Sequence, residues 1–262
     1  MDEVAQYNIN RWRALTQANA LFTRPALALD ATTAREKVDP EGKFGDLRGK
    51  DVLCLAGGGG QQSAAFALLG ANVTVIDLSA EQLARDREAA VHYKVNIATQ
   101  QGDMRHFAHL ITHPFDLVWQ PYSLNFVPDA RAVFHEVSQV VRPSGLYWFN
   151  CANPFVSGLG EHSWNGDGYT LKLPYQDGAA ITYPDASWVH ESSAEIPPPR
   201  EYRHTLSTLV NGLIEAGFVL HHLSDTRDYH PDPDAEPGTW SHFTAVAPPW
   251  LAFWAVYRPD SL

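Results

Sequence analysis

Four consecutive glycines, Gly57 to Gly60, stand between the apolar run Val52-Leu53-Cys54-Leu55 and a stretch of small residues, and Asp77 closes the next apolar run, Val73-Thr74-Val75-Ile76. Glycines let a ligand approach the backbone, and a loop leading into a helix N-terminus offers free N–H groups that favour an anion. A carboxylate at the end of the second strand of such a unit stands where a ribose diol presents two hydroxyls. Loop and acid together point to a nucleoside-bearing cofactor, the bland alternative being a tight turn and a helix-capping aspartate. A phosphate-cradling P-loop needs Lys and Ser or Thr after its last glycine, and Gly60 is followed by Gln61-Gln62, which excludes it. The dinucleotide pattern G-x-G-x-x-G can be phased from Gly57 or Gly58, but its third glycine then falls on Gln62 or Ser63. A nicotinamide-dependent reductase is therefore only a partial match.

The elements that must position these residues follow from periodicity. Val52–Leu55 and Val73–Ile76 are apolar throughout, as strands buried on both faces should be. Between them Gln61–Leu69 reads as a helix closed by Gly70. Ser79-x-x-Gln82 forms a capping box for a helix running to Tyr93, after which Val95–Ala98 suits a third strand and Phe115–Trp119 a fourth. A helix capped by Asp129 carries Val133, Val137, Val140 and Val141 on one face until Pro143-Ser144-Gly145 stops it before the strand Leu146–Phe149. From Asn150 to Arg200 the texture turns to Gly, Pro, Asp and aromatics, with a hairpin expected at Asp177-Gly178. Helical spacing returns at Leu206, Leu209, Val210, Leu213 and Ile214 up to Gly217, and Phe218–Leu223 and Leu251–Tyr257 supply two more strands. Alternating strands and helices predict an α/β, doubly wound, Rossmann-like sheet of seven strands. The 262 residues, 45% hydrophobic, fit a single domain. Its parts are a helical N-terminal cover (1–45), a cofactor-binding core (46–150), an inserted β-rich segment over the active site (151–200), and a C-terminal helix with strands (201–262).

These motifs, in this order, resemble the class I S-adenosylmethionine-dependent methyltransferases. The family's first motif, V-L-D-L-G-x-G-x-G, is matched by Val52-Leu53-Cys54-Leu55-Ala56-Gly57-Gly58-Gly59-Gly60, with Cys54 in place of its acid and Ala56 in place of its first glycine. Gly102-Asp103-Met104 looks like the adenine-binding turn, Phe115–Val118 like the fourth-strand motif, and Val140–Gly145 like the L-K-P-G-G turn. The resemblance implies that the cofactor is S-adenosyl-L-methionine, leaving as S-adenosyl-L-homocysteine. It implies cofactor contacts from Ala56, Gly57, Gly58, Gly59, Gly60, Asp77, Leu78, Asp103, Met104 and Gln120, and an antiparallel seventh strand. A non-catalytic S-adenosylmethionine-binding protein is the alternative from another class.

Methyl transfer is an in-line displacement, so most of its catalysis is positioning in a dry site. The loop after the fourth strand, Gln120 to Asn125, should border that site, with Tyr122 as a candidate catalytic group and Asn125 as a substrate contact. The other wall is expected from the insertion and the N-terminal helix, through Trp164, Tyr169, Trp188, His190, Tyr202, Tyr7 and Trp12. His204, just before the Thr205 helix cap, is the favoured general base. His221, His222 and His230 lack paired ligand spacing, so no metal is expected. A formal net charge of −11 argues against a nucleic-acid partner and for a small-molecule substrate. Two cysteines, an acidic start and no long apolar run lead to a cytoplasmic assignment with no membrane partner.

Overall fold

The computed structural model describes residues 2–182, 196–225 and 230–261. Seven strands form one sheet in the order β3-β2-β1-β4-β5-β9-β8. They are β1 (Asp51–Leu55), β2 (Asn72–Asp77), β3 (Ile97–Gln101), β4 (Phe115–Gln120), β5 (Val141–Ala152), β8 (Phe218–Ser224) and β9 (Trp250–Tyr257). Strands β1 to β5 pair in parallel, while β9 runs antiparallel to both β5 and β8. The order reverses between β1 and β4, and in such a sheet the ligand crevice lies beyond the carboxyl ends of the strands at that point.

Both sheet faces are covered, and the period of two along the strands assigns each side chain to its face. Leu53, Leu55, Val118, Tyr147, Phe149 and Phe253 pack under helices α5 (Ala130–Ser138) and α6 (Leu206–Glu215). Val52, Cys54, Val75, Trp119, Trp148 and Trp254 pack under α2 (Ala31–Val38), α3 (Gln62–Leu68) and α4 (Ala80–Tyr93). Alternation explains why β1 reads as a continuous apolar run: neither face meets water. Cys54 is fully buried and its thiol is held well above the ordinary range by desolvation, so it packs rather than reacts.

Three sequence expectations shift. Strand β3 begins at Ile97, two residues later than expected, because Val95 is still hydrogen-bonded back to Ala90 at the end of α4. The helix capped by Asp129 ends at Ser138, and Val141-Arg142-Pro143 already belongs to β5. The Pro143-Ser144-Gly145 segment is a kink within a strand rather than a helix stop: Ser144 has φ 68°, and pairing with β4 slips between Phe115 and Leu117. Asp177-Gly178 makes a turn with φ 71° at Gly178 but does not close a hairpin. Instead β6 (Ala180–Thr182) follows it and pairs antiparallel with β7 (Arg200–Tyr202), a ribbon joined through residues 183–199.

Helix α1 (Glu3–Gln17) is capped by Asp2 and crosses the carboxyl edge of the sheet. Its Asn8 Nδ2 donates to Phe126 O in the β4 loop (2.9 Å), Arg13 pairs with Glu81 on α4 (2.7 Å), and Tyr7 Oη donates to Pro198 O before β7 (2.7 Å). One further helix, α7 (Trp240–Val246), precedes β9.

Candidate functional site

The glycine loop is defined by where its N–H groups go. Gly58 N donates to Asp77 Oδ2 (3.0 Å), Gly59 N to Asp86 Oδ2 (3.2 Å) and Gly60 N to Asp86 Oδ1 (3.0 Å). Three consecutive loop donors are thus spent on two carboxylates. The missing side chains serve the same packing. A Cβ on Gly58 would stand 2.8 Å from both Asp77 Oδ2 and Gln82 Cβ, and Gly60 lies against the Arg85 carbonyl of α4. Gly59 and Gly60 also adopt φ of 115° and 70°. The carboxylates of Asp77 and Asp86 would oppose a pyrophosphate here, whereas a phosphate-free cofactor carrying a sulfonium fits the charge.

Asp77 also accepts from Ser79 N (2.8 Å), and it is only partly buried, so its outer lone pairs can accept from a ribose diol. Desolvation raises its pKa to about 6, opposed by the Ser79 and Gly58 N–H bonds, so it is ionised at neutral pH. Asp86 is fully buried on α4 and was not among the residues expected from the sequence. Its signal is a charge on a buried helical stripe, three residues after Leu83 and three before Ala89. Ala56, in the first-glycine position, takes φ 48° and donates its N–H to Ile76 O (2.7 Å).

Beside the loop, Gln101 Nε2 donates to Leu78 O (2.9 Å) and Gly102 N to Asp77 O (3.0 Å), tying the end of β3 to β2. Asp103 is held by Arg105, whose guanidinium also grips Asp2 at the start of α1 (2.6 Å). Gln120 is buried, accepts from Tyr147 Oη, and donates to Ser123 Oγ (3.1 Å) and Met104 Sδ (3.4 Å). Asp77, Leu78, Asp103, Met104 and Gln120 therefore line one continuous edge.

Across that edge Tyr122 Oη donates to Glu201 Oε2 on β7 (3.0 Å), and Glu201 is 4% exposed. Tyr122 N is fixed by Asn150 Oδ1 of β5 (2.9 Å). Ring contacts run on in both directions, through Phe126 to Trp12 on α1 and through Trp250 and Trp240 to Phe243 and Tyr169, which meets Trp164. Asn125 spends its amide on backbone, donating to Tyr202 O (3.3 Å) and accepting from Ala152 N (2.9 Å). His204 is buried beneath the Leu124–Phe126 turn. Its Nε2 lies 3.0 Å from Leu124 O and must donate there, while Nδ1 has no partner among the described residues. Desolvation lowers its pKa, keeping it neutral. Trp188 and His190 lie outside the described residues. A cleft lined by Gly70, Asn72, Thr74, Asn96 and His113 is at the opposite, amino-terminal ends of β2 and β3 and has no part in this edge.

Comparison with known proteins agrees with this geometry. A family model described as a methyltransferase domain matches residues 53–149, the span from β1 through β5. The ubiquinone biosynthesis O-methyltransferase of Cronobacter sakazakii is 37% identical over 197 residues, covering 68% of this chain and 76% of the relative. The uncharacterized methyltransferase YbaJ of Bacillus subtilis is 28% identical over 213 residues, covering 80% and 82%. Among solved structures, an S-adenosylmethionine-dependent methyltransferase from Mesorhizobium loti shares the fold with a TM-score of 0.61 at 22% identity, over 88% of this chain and all of that one. A loop that spends its donors on acids, a sheet reversed between β1 and β4 with one antiparallel strand, and relatives along most of the length agree: this chain belongs to the class I S-adenosylmethionine-dependent methyltransferases.

Proposed function

We propose that this methyltransferase acts on a small, planar acceptor bearing a hydroxyl, held in the aromatic edge around Tyr122. The observation that carries this is the unbroken series of ring contacts from Trp12 through Phe126, Tyr122 and Trp250 to Trp240, with the Glu201 carboxylate set against the Tyr122 phenol. Aromatic walls with few polar groups are the usual form of a small-molecule site.

When bound, S-adenosylmethionine would supply an electrophilic methyl carbon, to which an acceptor oxygen would bond in line as the C–S bond breaks and S-adenosylhomocysteine leaves. The chain's own contribution is binding and orientation. Ala56 to Gly60, Asp77 and Leu78 would hold the cofactor's ribose and methionine half, and Asp103, Met104 and Gln120 its base. Trp12, Tyr122 and the insertion would hold the acceptor, with Tyr7, Trp164, Tyr169, Tyr202 and Asn125 supporting that wall. Helix α1 would exclude water, being bonded to α4, the β4 loop and the segment before β7. As the O–CH3 bond forms, the hydroxyl proton would leave toward Glu201, directly or through Tyr122. Glu201 touches this edge, whereas His204 bonds to the backbone of the turn beneath it, so the proton acceptor we favour is Glu201 rather than His204.

The relative from Cronobacter sakazakii, named as an O-methyltransferase, supports oxygen as the atom methylated. The charge of −11 supports a small molecule over a nucleic acid, and no helix among the described residues is long and apolar enough to cross a membrane. A cytoplasmic location and the four-part division of one domain are part of the same proposal. The test is methyl transfer from isotope-labelled S-adenosylmethionine to a panel of phenols, aliphatic alcohols, aryl amines and duplex DNA. Labelling of phenols is the expected result; labelling confined to amines, aliphatic alcohols or DNA would overturn it.

A further inference from the structure

Asp86 belongs to neither the acceptor edge nor the set of residues that the family motifs mark, yet it is the most enclosed acid near the loop. It is 0% exposed and accepts three hydrogen bonds, from Gly59 N (3.2 Å), Gly60 N (3.0 Å) and Ser63 Oγ (2.5 Å). No Lys, Arg or His among the described residues forms an ion pair with it. The neighbouring Arg85 turns instead to Glu88 (2.9 Å). The titratable groups that face Asp86 are Asp77 from β2 and the Cys54 thiol from β1. A buried carboxylate without a cation is costly, and it persists where something in the site uses its charge.

S-Adenosylmethionine carries a sulfonium cation and its demethylated product does not, which makes these two ligands nearly identical in shape but different by one charge. We propose that Asp86 is a specificity-determining residue, which rests on the cofactor lying at this loop: it fixes Gly59 to Ser63 and, as a buried anion, favours the cationic cofactor over its neutral product. An enzyme with such a bias holds its substrate and lets its product go. Low local dielectric extends the reach of the charge, so contact with the sulfur is not required. Ionised Asp77 on the other side of the loop acts in the same sense.

Desolvation holds Asp86 up at about 7, with the Ser63 hydroxyl bond opposing it and the charge of Asp77 adding to it. The bias should therefore weaken as pH falls through neutrality and Asp86 gains a proton.

The experiment is titration calorimetry of the full chain with S-adenosylmethionine and S-adenosylhomocysteine at pH 8, for the wild type, Asp86→Asn, Ser63→Ala and Asp77→Ala. Asp86→Asn should lower the ratio of the two affinities at least about fivefold, weakening the cation more than the neutral product. Equal loss for both ligands would make Asp86 a structural cap, and no loss would remove it from the site; either overturns the proposal. Should Asp86→Asn fail to fold, Ser63→Ala decides the matter. With one donor gone, Asp86 holds its proton to higher pH, so the affinity ratio should be reduced near pH 7 and recover by pH 9. A ratio that does not move with pH in Ser63→Ala also overturns it. Asp77→Ala separates the two levels: weakened binding there with an unchanged ratio in Asp86→Asn disproves only the role of Asp86, whereas unchanged binding in both places the cofactor elsewhere.

Discussion

The proposed cofactor end and the proposed acceptor end of this crevice are built by different rules. At the cofactor end the bonds that matter join residues close in sequence, 19 apart for Gly58 to Asp77 and 26 apart for Gly60 to Asp86. At the acceptor end they span 79 residues for Tyr122 to Glu201, 118 for Asn8 to Phe126 and 191 for Tyr7 to Pro198. One strand-helix-strand unit with the following helix suffices for the first. The second exists only once α1, the β4 loop, the β6–β7 ribbon and α7 have all docked. Chemistry shared across a family can rest on the local unit, while the surface that chooses an acceptor varies with the distant pieces.

The sharpest way to break this contrast is at Asp77. Replacement by alanine removes the acceptor expected to bind the ribose hydroxyls, worth roughly 1.5–3 kcal/mol for hydrogen bonds to a charged group, so affinity should fall about tenfold to a hundredfold. Turnover at saturating cofactor should survive, because the acceptor end is untouched. The pH dependence carries a sign. With a pKa of about 6, Asp77 is ionised above that value, and cofactor affinity should decline as pH drops below it. Stability of the cofactor-free protein runs the other way. The folded-state pKa is raised above the ordinary 3.8, so the fold binds more protons than the unfolded chain, and this contribution is lost as pH rises from about 4 through about 6. Thermal scans of wild type and Asp77→Ala across that window should differ by this falling component; parallel curves would mean Asp77 titrates normally.

An effect of about tenfold is expected at the opposite end from Trp250→Ala. Its ring meets both Tyr122 (6.3 Å) and Trp240 (5.7 Å), and aromatic pairs contribute roughly 0.5–1.5 kcal/mol each. Acceptor KM should rise while cofactor Kd stays within about twofold. Loss of both together would show that the two ends are not separable. Removing the insertion is a poorer probe than its loop-like texture suggests. Arg203, 3% exposed, is held by the carbonyls of Ser157, Leu173 and Pro174, and Asp177 Oδ1 caps Thr205 N (2.9 Å). Cutting residues 166–180 would take two of its three carbonyl partners from a buried guanidinium and leave the Thr205 N–H ahead of α6 without its acceptor.

This difference also explains what could be read from residues alone. Strands β1, β2 and β4, the Ser79 and Thr205 caps and the acid at Asp77 obey local periodicity and capping, and the structure places them where those rules point. Asp86 was hidden because its partners, two loop N–H groups and the Ser63 hydroxyl, lie 23 to 27 residues earlier in the chain. Glu201 was hidden because nothing in Arg200-Glu201-Tyr202 tells that this short strand turns its acid to a phenol 79 residues earlier. The Pro143 kink misled for the reverse reason: proline and glycine are strong local signals, and pairing with β4 and β9 overrode them.

A smaller effect is expected where the two ends touch. Arg105 joins Asp103, in the turn after β3 proposed to hold the base, to Asp2 at the start of α1, and its guanidinium holds the Asp2 carboxyl well below the usual range. Partly exposed pairs of this kind are worth about 0.2–1 kcal/mol. Arg105→Gln should weaken both cofactor and acceptor binding by roughly two- to fivefold, and the gap from wild type should shrink as salt is added. A change confined to one ligand would mean that α1 docks independently of the turn.

The smallest effect tests whether the cofactor end is as locally determined as it looks. Ala56 occupies the family's first-glycine position and adopts φ 48°, a left-handed conformation that costs a residue with a Cβ about 1–2 kcal/mol. Its N–H bond to Ile76 O and the close-set strand end hold it there. Ala56→Gly removes that strain but gives the unfolded chain more freedom, which offsets part of the gain. The net should be a stabilisation of about 0.5–1 kcal/mol, or roughly 1–4 °C in melting temperature for a chain of this size. Cofactor affinity should not change, since the backbone conformation is the same. A lower melting temperature would mean that the Ala56 methyl contributes packing that outweighs its strain. In that case the departure at this position is compensated by its neighbours, and even this loop is not set by backbone preference alone.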